Sequence, residues 1–335
     1  EVRIMFPDKI YYEEAAMGYE LGKYLKQKYQ DKTWIPIDSH NKIDELRTRP
    51  NSDFREMKQY LIIGIRKTHR HVPNAKVSDF LVPYTSSGCI AACLYCYLVC
   101  NYNKCSYLRL FVNREEMLDK IMKTANRASE DLTFEIGSNS DLVLENTITH
   151  NLEWTIERFA ENEKGRLTFP TKFANVAPLL SLHHGGRVIF RMSVNPEKII
   201  RQIELGTSPL NKRIEALNQM CEAGYPCGIL IAPVIFLSGW QDMYSGLITV
   251  LSEKLSEKIK KTAFIEIIFM SYSFVHRKIN EEAFPDAPDL YDKDKMQVRG
   301  RGKYGYNQPS RQEGELFFRK ELARKLPNME ILYFS

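Results

Sequence analysis

The sequence predicts an α/β fold in which a parallel sheet is flanked by helices, closed either as an open doubly wound sheet or as a partial barrel. Three observations lead there. From residue 79 onward, short apolar runs alternate with helically patterned segments six times. A chain of 335 residues, 44% of them hydrophobic, can bury a large core. No apolar run approaches the roughly 20 residues a bilayer crossing needs, and no signal-peptide pattern opens the chain, so a cytoplasmic protein with no membrane partner is expected.

The elements follow in order. Residues 12–29 place Ala15, Met17, Leu21, Tyr24 and Leu25 at helical spacing. Residues 38–53 are polar and carry Pro50 and Asn51, which reads as a surface excursion before the apolar run 60–65. Together these give an N-terminal α/β extension, residues 1–77. The repeating region, 78–283, has strand candidates at 80–84, 132–136, 167–169, 188–194, 228–236 and 264–269. Helical candidates lie at 114–128, 145–160, 173–182, 209–223 and 243–259. In either architecture the reactive site falls at the C-terminal ends of the strands. Residues 284–335 form a C-terminal segment: Pro285, Pro288 and a charged stretch to Lys303, then a helix at 312–325 and a strand at 331–334.

Charge is nearly balanced, 47 basic against 42 acidic side chains, which permits a nucleic-acid partner without requiring one. The cysteines are more informative. Five of the seven, Cys89, Cys93, Cys96, Cys100 and Cys105, fall in one short stretch, and Cys221 and Cys227 lie far downstream. In a reducing compartment they are not expected to form structural disulfides.

Gly88-Cys89-Ile90-Ala91-Ala92-Cys93-Leu94-Tyr95-Cys96 follows the first strand of the repeating region. Thiolates at this C-x3-C-x2-C spacing can hold three corners of an iron–sulfur cube and leave one iron open. The same thiols also suit zinc or a chance set of core cysteines, although zinc sites usually pair C-x2-C with a second such pair or with histidines. The spacing, with an aromatic before the third cysteine, resembles the signature of the radical S-adenosylmethionine (SAM) superfamily. That resemblance implies a partial (β/α)6 TIM-type barrel, a 4Fe-4S cluster on Cys89, Cys93 and Cys96, and SAM chelated to the open iron.

A narrower resemblance rests on further blocks. Ile63-Gly64-Ile65-Arg66-Lys67-Thr68, Phe169-Pro170-Thr171-Lys172-Phe173, Arg191-Met192-Ser193-Val194-Asn195, residues 206–216 and the end Leu332-Tyr333-Phe334-Ser335 are similar, in the same order, to the spore photoproduct lyase family. The resemblance implies repair of 5-thyminyl-5,6-dihydrothymine in DNA. A 5′-deoxyadenosyl radical takes hydrogen from C6 of the lesion, the methylene bridge breaks, and a returned hydrogen leaves two thymines. Enzymes acting on a base commonly take it out of the stack. A reducing partner such as a flavodoxin or ferredoxin, and a monomeric protein, are also expected.

By the same resemblance Ser140, Lys172 and Ser193 contact SAM, with Lys172 meeting its carboxylate. Tyr95 lies at the cofactor, and Tyr97 matches a tyrosine that relays a hydrogen atom. Lys303 and Tyr304 match a base–tyrosine pair in the family, and with Arg301 they make a basic, aromatic loop at 299–306 suited to phosphates and an extruded base. Without relatives, a lysine after a strand is a solvated surface residue, a serine in a strand a packed neighbour, and an aromatic beside a cluster simple packing.

Two departures stand out. Where family members place a cysteine that returns the hydrogen, this chain has Ser138, whose O–H bond is too strong to give a hydrogen atom readily to a carbon radical. Cys100 is the candidate replacement, directly or through Tyr97, with Cys105 in reserve. At Phe269-Met270-Ser271-Tyr272 the family places polar and basic residues, and their loss weakens the case for duplex DNA held in the usual manner. A radical SAM enzyme with a non-DNA substrate, and a non-catalytic iron–sulfur protein that binds nucleic acid, are the rival readings. The first would leave the lesion intact, and the second would not cleave SAM.

Overall fold

A computed structural model describes residues 6–100, 106–300 and 302–335. They fall into two compact units, one of Glu1–Ala92 with Leu98–Thr168, the other of Cys93–Tyr97 with Phe169–Ser335. The segments expected from the sequence are therefore distributed differently: the first unit takes in 1–77 and the opening half of the repeating region, and the second combines its closing half with 284–335.

The first unit is built on a five-stranded sheet in the order Thr33–Pro36, Lys9–Tyr12, Tyr60–Gly64, Leu108–Phe111, Ser86–Ser87, parallel except for the last pair. Tyr60–Gly64 is buried along its whole length, as a central parallel strand must be. Burying Leu61, Ile62 and Ile63 stabilises the fold by about 2 kcal/mol each. The helix expected over 12–29 divides. Sheet pairing on both sides captures Lys9–Tyr12, a 3-10 turn covers Glu14–Gly18, and the α-helix is confined to Glu20–Lys28.

This unit also holds Phe80–Leu81, Thr133–Glu135 and the first residues of the strand Arg166–Thr171 side by side and parallel, with Val72–Pro73 antiparallel at the edge. The single helix expected over 145–160 is two, Leu142–Thr149 and Asn151–Ala160. His150, at φ 56°, breaks it, and the Asn146 side chain accepts the freed N–H groups of Leu152 and Glu153 at 3.0 and 3.1 Å.

In the second unit Val188–Val194, Cys227–Val234, Phe264–Phe269 and Glu330–Phe334 run parallel in that order. The strand Arg166–Thr171 has residues in both units and belongs to the same eight-stranded sheet. No helix spans 173–182; only a 3-10 turn, Ala177–Leu179, forms there, because Pro178 lacks the N–H a helix interior needs. The segment expected as one helix over 243–259 is Trp240–Lys254 and Glu257–Thr262, the second capped by Ser256. The expected loop at 299–306 is a hairpin of Met296–Gly300 and Lys303–Tyr306, joined by Ser271–Ser273 into a three-stranded antiparallel sheet. Among the described residues no helix is long and apolar enough to cross a membrane.

Candidate cluster and cofactor site

Cys89 is placed by the backbone of the first unit. Gly88 precedes it at φ 78°, and a Cβ there would lie 2.0 Å from the Tyr107 carbonyl oxygen, so glycine alone fits. Gly88 N–H donates to Asn139 O at 2.8 Å, and Cys89 N–H donates to Ser106 O at 2.9 Å. The ammonium of Lys58, a side chain 2% exposed, donates to the carbonyl of Cys89 at 2.8 Å, to Ser106 O at 3.0 Å and to Ser106 Oγ at 2.6 Å. The sulfur itself accepts the N–H of Ala91 at 3.4 Å, a contact that suits a thiolate.

Ser140 lies in the same unit, after the strand Thr133–Glu135, and donates to Gly88 O at 2.8 Å. Its Oγ stands 2.7 Å from Ser86 Oγ, which in turn lies 2.5 Å from Glu145 Oε2. Ser86 donates to Glu145 Oε2, and Thr85, Thr149 and Asn151 donate to the same carboxyl. Burial raises the Glu145 carboxyl above the ordinary range, against these hydrogen bonds. Ser138, two residues before Ser140, is partly exposed.

The segment Cys93–Tyr97 is sewn into the second unit. Leu94 N–H donates to Ile203 O at 3.0 Å, and Asn280 Nδ2 donates to Leu94 O at 2.8 Å. The Tyr95 hydroxyl donates to Glu204 Oε1. Glu204 is wholly buried and takes Asn195 Nδ2 at 2.8 Å and Arg213 Nη2 at 2.7 Å. Burial works against its charge, but Arg213 and Lys172 outweigh that and hold its carboxyl below the ordinary range. Burial and the charge of Glu204 push the Tyr95 phenol well up, so it stays a neutral donor.

Lys172 follows the strand Arg166–Thr171. Its Nζ donates to Ser193 Oγ at 2.9 Å and Ala232 O at 3.3 Å, stands 4.0 Å from Glu204 Oε1, and lies 5.8 Å from the Tyr95 ring centre. Lys172 is thus no solvated surface lysine, and Ser193 is its direct partner. Tyr97, 48% exposed, opens the short turn Tyr97–Cys100. The Cys100 side chain, Cys105 and Arg301 lie outside the described residues.

Cys89, Cys93 and Cys96 are unbridged and partly exposed, whereas Cys221 and Cys227 are buried and burial pushes the Cys227 thiol up. Soft thiols of this kind are the ligands that iron–sulfur clusters take. Among the described residues no three His, Cys, Asp or Glu side chains converge as the ligands of a single ion must. A four-iron cube takes one thiolate per iron, which spreads its ligands.

The hairpin departs from expectation. Tyr304 is 8% exposed, its ring packed against Phe274 at 4.8 Å and Tyr291 at 4.7 Å between centres, and so it is not open to stack on a base. Tyr306 is buried too and accepts Phe236 N–H at 2.8 Å. The alternation of a strand turns these rings inward and leaves Lys303 outside. Among the described residues the exposed large apolar groups here are Val298, Phe274 and Val275. Tyr272, in the stretch where basic residues are missing, is buried and accepts Asn280 Nδ2 at 2.9 Å.

Sequence reasoning missed Lys58, Glu145, Glu204 and Asn280. Each is an isolated polar residue in its own stretch of chain, and only the fold brings it to the cysteine segment. Arg213 lay inside the block 206–216 without a role.

The model of the spore photoproduct lyase family matches residues 5–335. Spore photoproduct lyase of Bacillus subtilis (strain 168) is 32% identical over 98% of each chain, and that of Geobacillus sp. (strain Y412MC61) 29% identical over 98% of each. Among solved structures, spore photoproduct lyase complexed with dinucleoside spore photoproduct superposes with a TM-score of 0.91 at 28% identity, covering 99% of this chain and 100% of that one. A double mutant with bound AdoMet and dinucleoside spore photoproduct gives 0.91 at 29% identity, covering 98% and 99%. The mixed α/β fold with its eight-stranded sheet is therefore the partial barrel those enzymes share. Because the family model spans residues 5–335 and a relative is 32% identical over 98% of each chain, the chain belongs to the spore photoproduct lyase family of radical SAM repair enzymes.

Proposed function

We propose that the protein reverses the spore photoproduct in DNA to two thymines, with Cys89, Cys93 and Cys96 holding a 4Fe-4S cluster and SAM bound at the open iron. When bound, cluster and SAM supply the 5′-deoxyadenosyl radical that starts the reversal. The observation that carries the reading is Lys172, drawn out of solvent by Ser193 Oγ, Ala232 O and the charge of Glu204. A cation so fixed suits the SAM carboxylate as a point charge. The Ser140 hydroxyl, tied to Gly88 and Ser86, serves the same cofactor from the first unit.

Tyr97, exposed at the end of the cysteine segment, is suited to relay a hydrogen atom, and Cys100, closing the same turn, is the donor that replaces the missing family cysteine. On the hairpin, Lys303 and Arg301 serve phosphates, while Tyr304 supports the hairpin from within. The exposed Val298 is suited to press against a lesion. A low-potential flavodoxin or ferredoxin supplies the electron, and the enzyme acts as a monomer in the cytoplasm.

The test is anaerobic reconstitution followed by reduction and incubation with SAM and a dinucleotide lesion. Release of unlinked thymidine, lost in Cys93→Ala, is expected. SAM cleavage with no repair of either the dinucleotide or the lesion in duplex DNA would move the enzyme to another substrate.

A further inference from the structure

The second unit contains two buried triads of identical composition. In one, the Tyr333 hydroxyl donates to Glu266 Oε1 at 2.5 Å between neighbouring strands, and Arg191 Nε lies 3.1 Å from Glu266 Oε2 across the intervening strand Cys227–Val234. In the other, Tyr95 donates to Glu204, which is paired with Arg213 at 2.7 Å. The first triad ties strand to strand. The second ties the cysteine segment to the carboxylate that faces Lys172.

Glu204 gathers an unusual number of donors. Its Oε1 receives Tyr95 and Asn195 with Lys172 at 4.0 Å, and its Oε2 is ion-paired with Arg213 Nη2 at 2.7 Å. Arg213 is wholly buried and spends its other N–H groups on Ser193 O at 3.0 Å, Ser208 O at 2.7 Å and Thr207 Oγ1 at 2.6 Å. Asn195 is held in turn by the Tyr244 hydroxyl at 3.1 Å. The backbone adds a second tie, since Ile203, the residue before Glu204, accepts Leu94 N–H. The carboxylate that fixes the tyrosine between Cys93 and Cys96 thus also faces Lys172, and its partner Arg213 donates to the carbonyl of Ser193.

We propose that Glu204 is a positioning residue: one buried carboxylate that holds the cluster segment, through Tyr95, and the SAM-carboxylate lysine, Lys172, in a common register. This rests on the reading of the three cysteines and Lys172 as the cluster and SAM site. A charged acceptor is needed because two hydrogen-bond donors and the Lys172 ammonium face one oxygen, and charge-assisted hydrogen bonds are shorter and stronger than neutral ones. A glutamine has the same shape but must turn an NH2 toward either Arg213 or Tyr95, so one anchor is lost in each orientation.

The experiment compares Glu204→Gln with Glu266→Gln, which removes the same charge from the triad that does not touch the cysteine segment. Iron and sulfide per chain, SAM affinity by equilibrium binding, and the electron paramagnetic resonance signal of the reduced cluster with and without SAM are measured on anaerobically reconstituted protein. Glu204→Gln is expected to keep its iron and sulfide, to bind SAM at least tenfold more weakly, and to show no SAM-induced change in the signal at concentrations that saturate the unmodified protein. Glu266→Gln is expected to stay within twofold in SAM affinity. Tyr95→Phe, which loses one hydroxyl, is expected to weaken SAM at least threefold, with no further loss when added to Glu204→Gln. This arm carries the test should Glu204→Gln fail to fold. SAM affinity within twofold of normal in Glu204→Gln or in Tyr95→Phe, equal losses in both glutamine variants, or additive losses in the double variant would each overturn the proposal. If the unmodified protein takes up no cluster or binds no SAM, the site reading itself falls, and that result is visible before any variant is made.

Discussion

Lys58 Nζ donates to the backbone carbonyl of Cys89 at 2.8 Å from inside the first unit. A lysine this buried is held by its acceptors, here three oxygens within 3.0 Å, and the aromatic ring of Phe54 lies 5.3 Å away on another side. The consequence is that the first cysteine of the motif is fixed through its main chain while its sulfur stays presented.

Lys58→Met keeps the stem and removes the ammonium, so Cys89 O and Ser106 O lose a donor in a place water does not reach. At about 1–3 kcal/mol for each buried group left unsatisfied, stability should fall by about 3 kcal/mol. Equilibrium unfolding in urea checks this. Arginine should not rescue, because its planar fork cannot occupy the site of a compact ammonium. A midpoint unchanged in Lys58→Met would mean the three contacts contribute nothing.

Gly88→Ala tests the turn before the cluster segment. The positive φ costs about 1–2 kcal/mol for any L-residue, and the new methyl would also meet the Tyr107 carbonyl at 2.0 Å. Gly185→Ala is the control, with φ 57° and nothing within 4 Å, so it carries the backbone cost alone. Iron and sulfide content after reconstitution should drop at least several-fold in Gly88→Ala and hold in Gly185→Ala. Equal content in the two would show that the Gly88 turn does not place Cys89.

The motif and the later blocks mark Cys89, Cys93, Cys96, Lys172 and Ser193 as candidates because they stand in local spacing or in short runs beside strands, and the structure sets Ser193 against Lys172. The parallel sheet was legible from alternation, and the strands 188–194 and 264–269 appear with the expected bounds. What failed was decided by single residues. His150 splits a helix that periodicity would continue, Pro178 prevents another, and hairpin pairing turns a glycine-rich basic stretch into strands that bury Tyr304 and Tyr306. Glu204 and Glu145 were invisible for a different reason. A lone glutamate has no periodic signature, and the burial of Glu204 depends on partners between 9 and 109 residues away, that of Glu145 on Thr85 and Ser86 60 and 59 residues away.

Glu13 gives a pH dependence of stability. Its carboxylate accepts His40 Nδ1 at 2.7 Å, His40 N–H at 2.9 Å and Ile65 N–H at 2.9 Å. Burial opposes its charge, yet these bonds hold its pKa at about 2 against an ordinary 4.5. A folded pKa below the unfolded one means the stabilisation is complete above about pH 4.5 and is lost as pH falls toward 2. The urea midpoint difference between the unmodified protein and Glu13→Gln should therefore be constant from pH 7 to 5 and shrink from pH 4.5 downward. A difference that stays constant to pH 3 would show that Glu13 does not titrate with folding.

The returning hydrogen is the last question, and Ser138 sharpens it. A thiol gives up a hydrogen atom to a carbon radical far more readily than a serine hydroxyl, so the position after the strand Thr133–Glu135 is occupied by a group that cannot serve. If Cys100 is the donor, Cys100→Ala should slow thymine release at least tenfold and divert the lesion to products in which the radical has been quenched by solvent or additives. Adding Ser138→Cys to Cys100→Ala should restore clean thymine, because it returns a thiol to the family's own position. Product analysis in deuterated water separates the cases, since an exchangeable S–H donor delivers deuterium to the thymine methyl group. Normal rate and clean thymine in Cys100→Ala would remove that thiol from the reaction and leave Cys105 or Tyr97 to be tested in the same way.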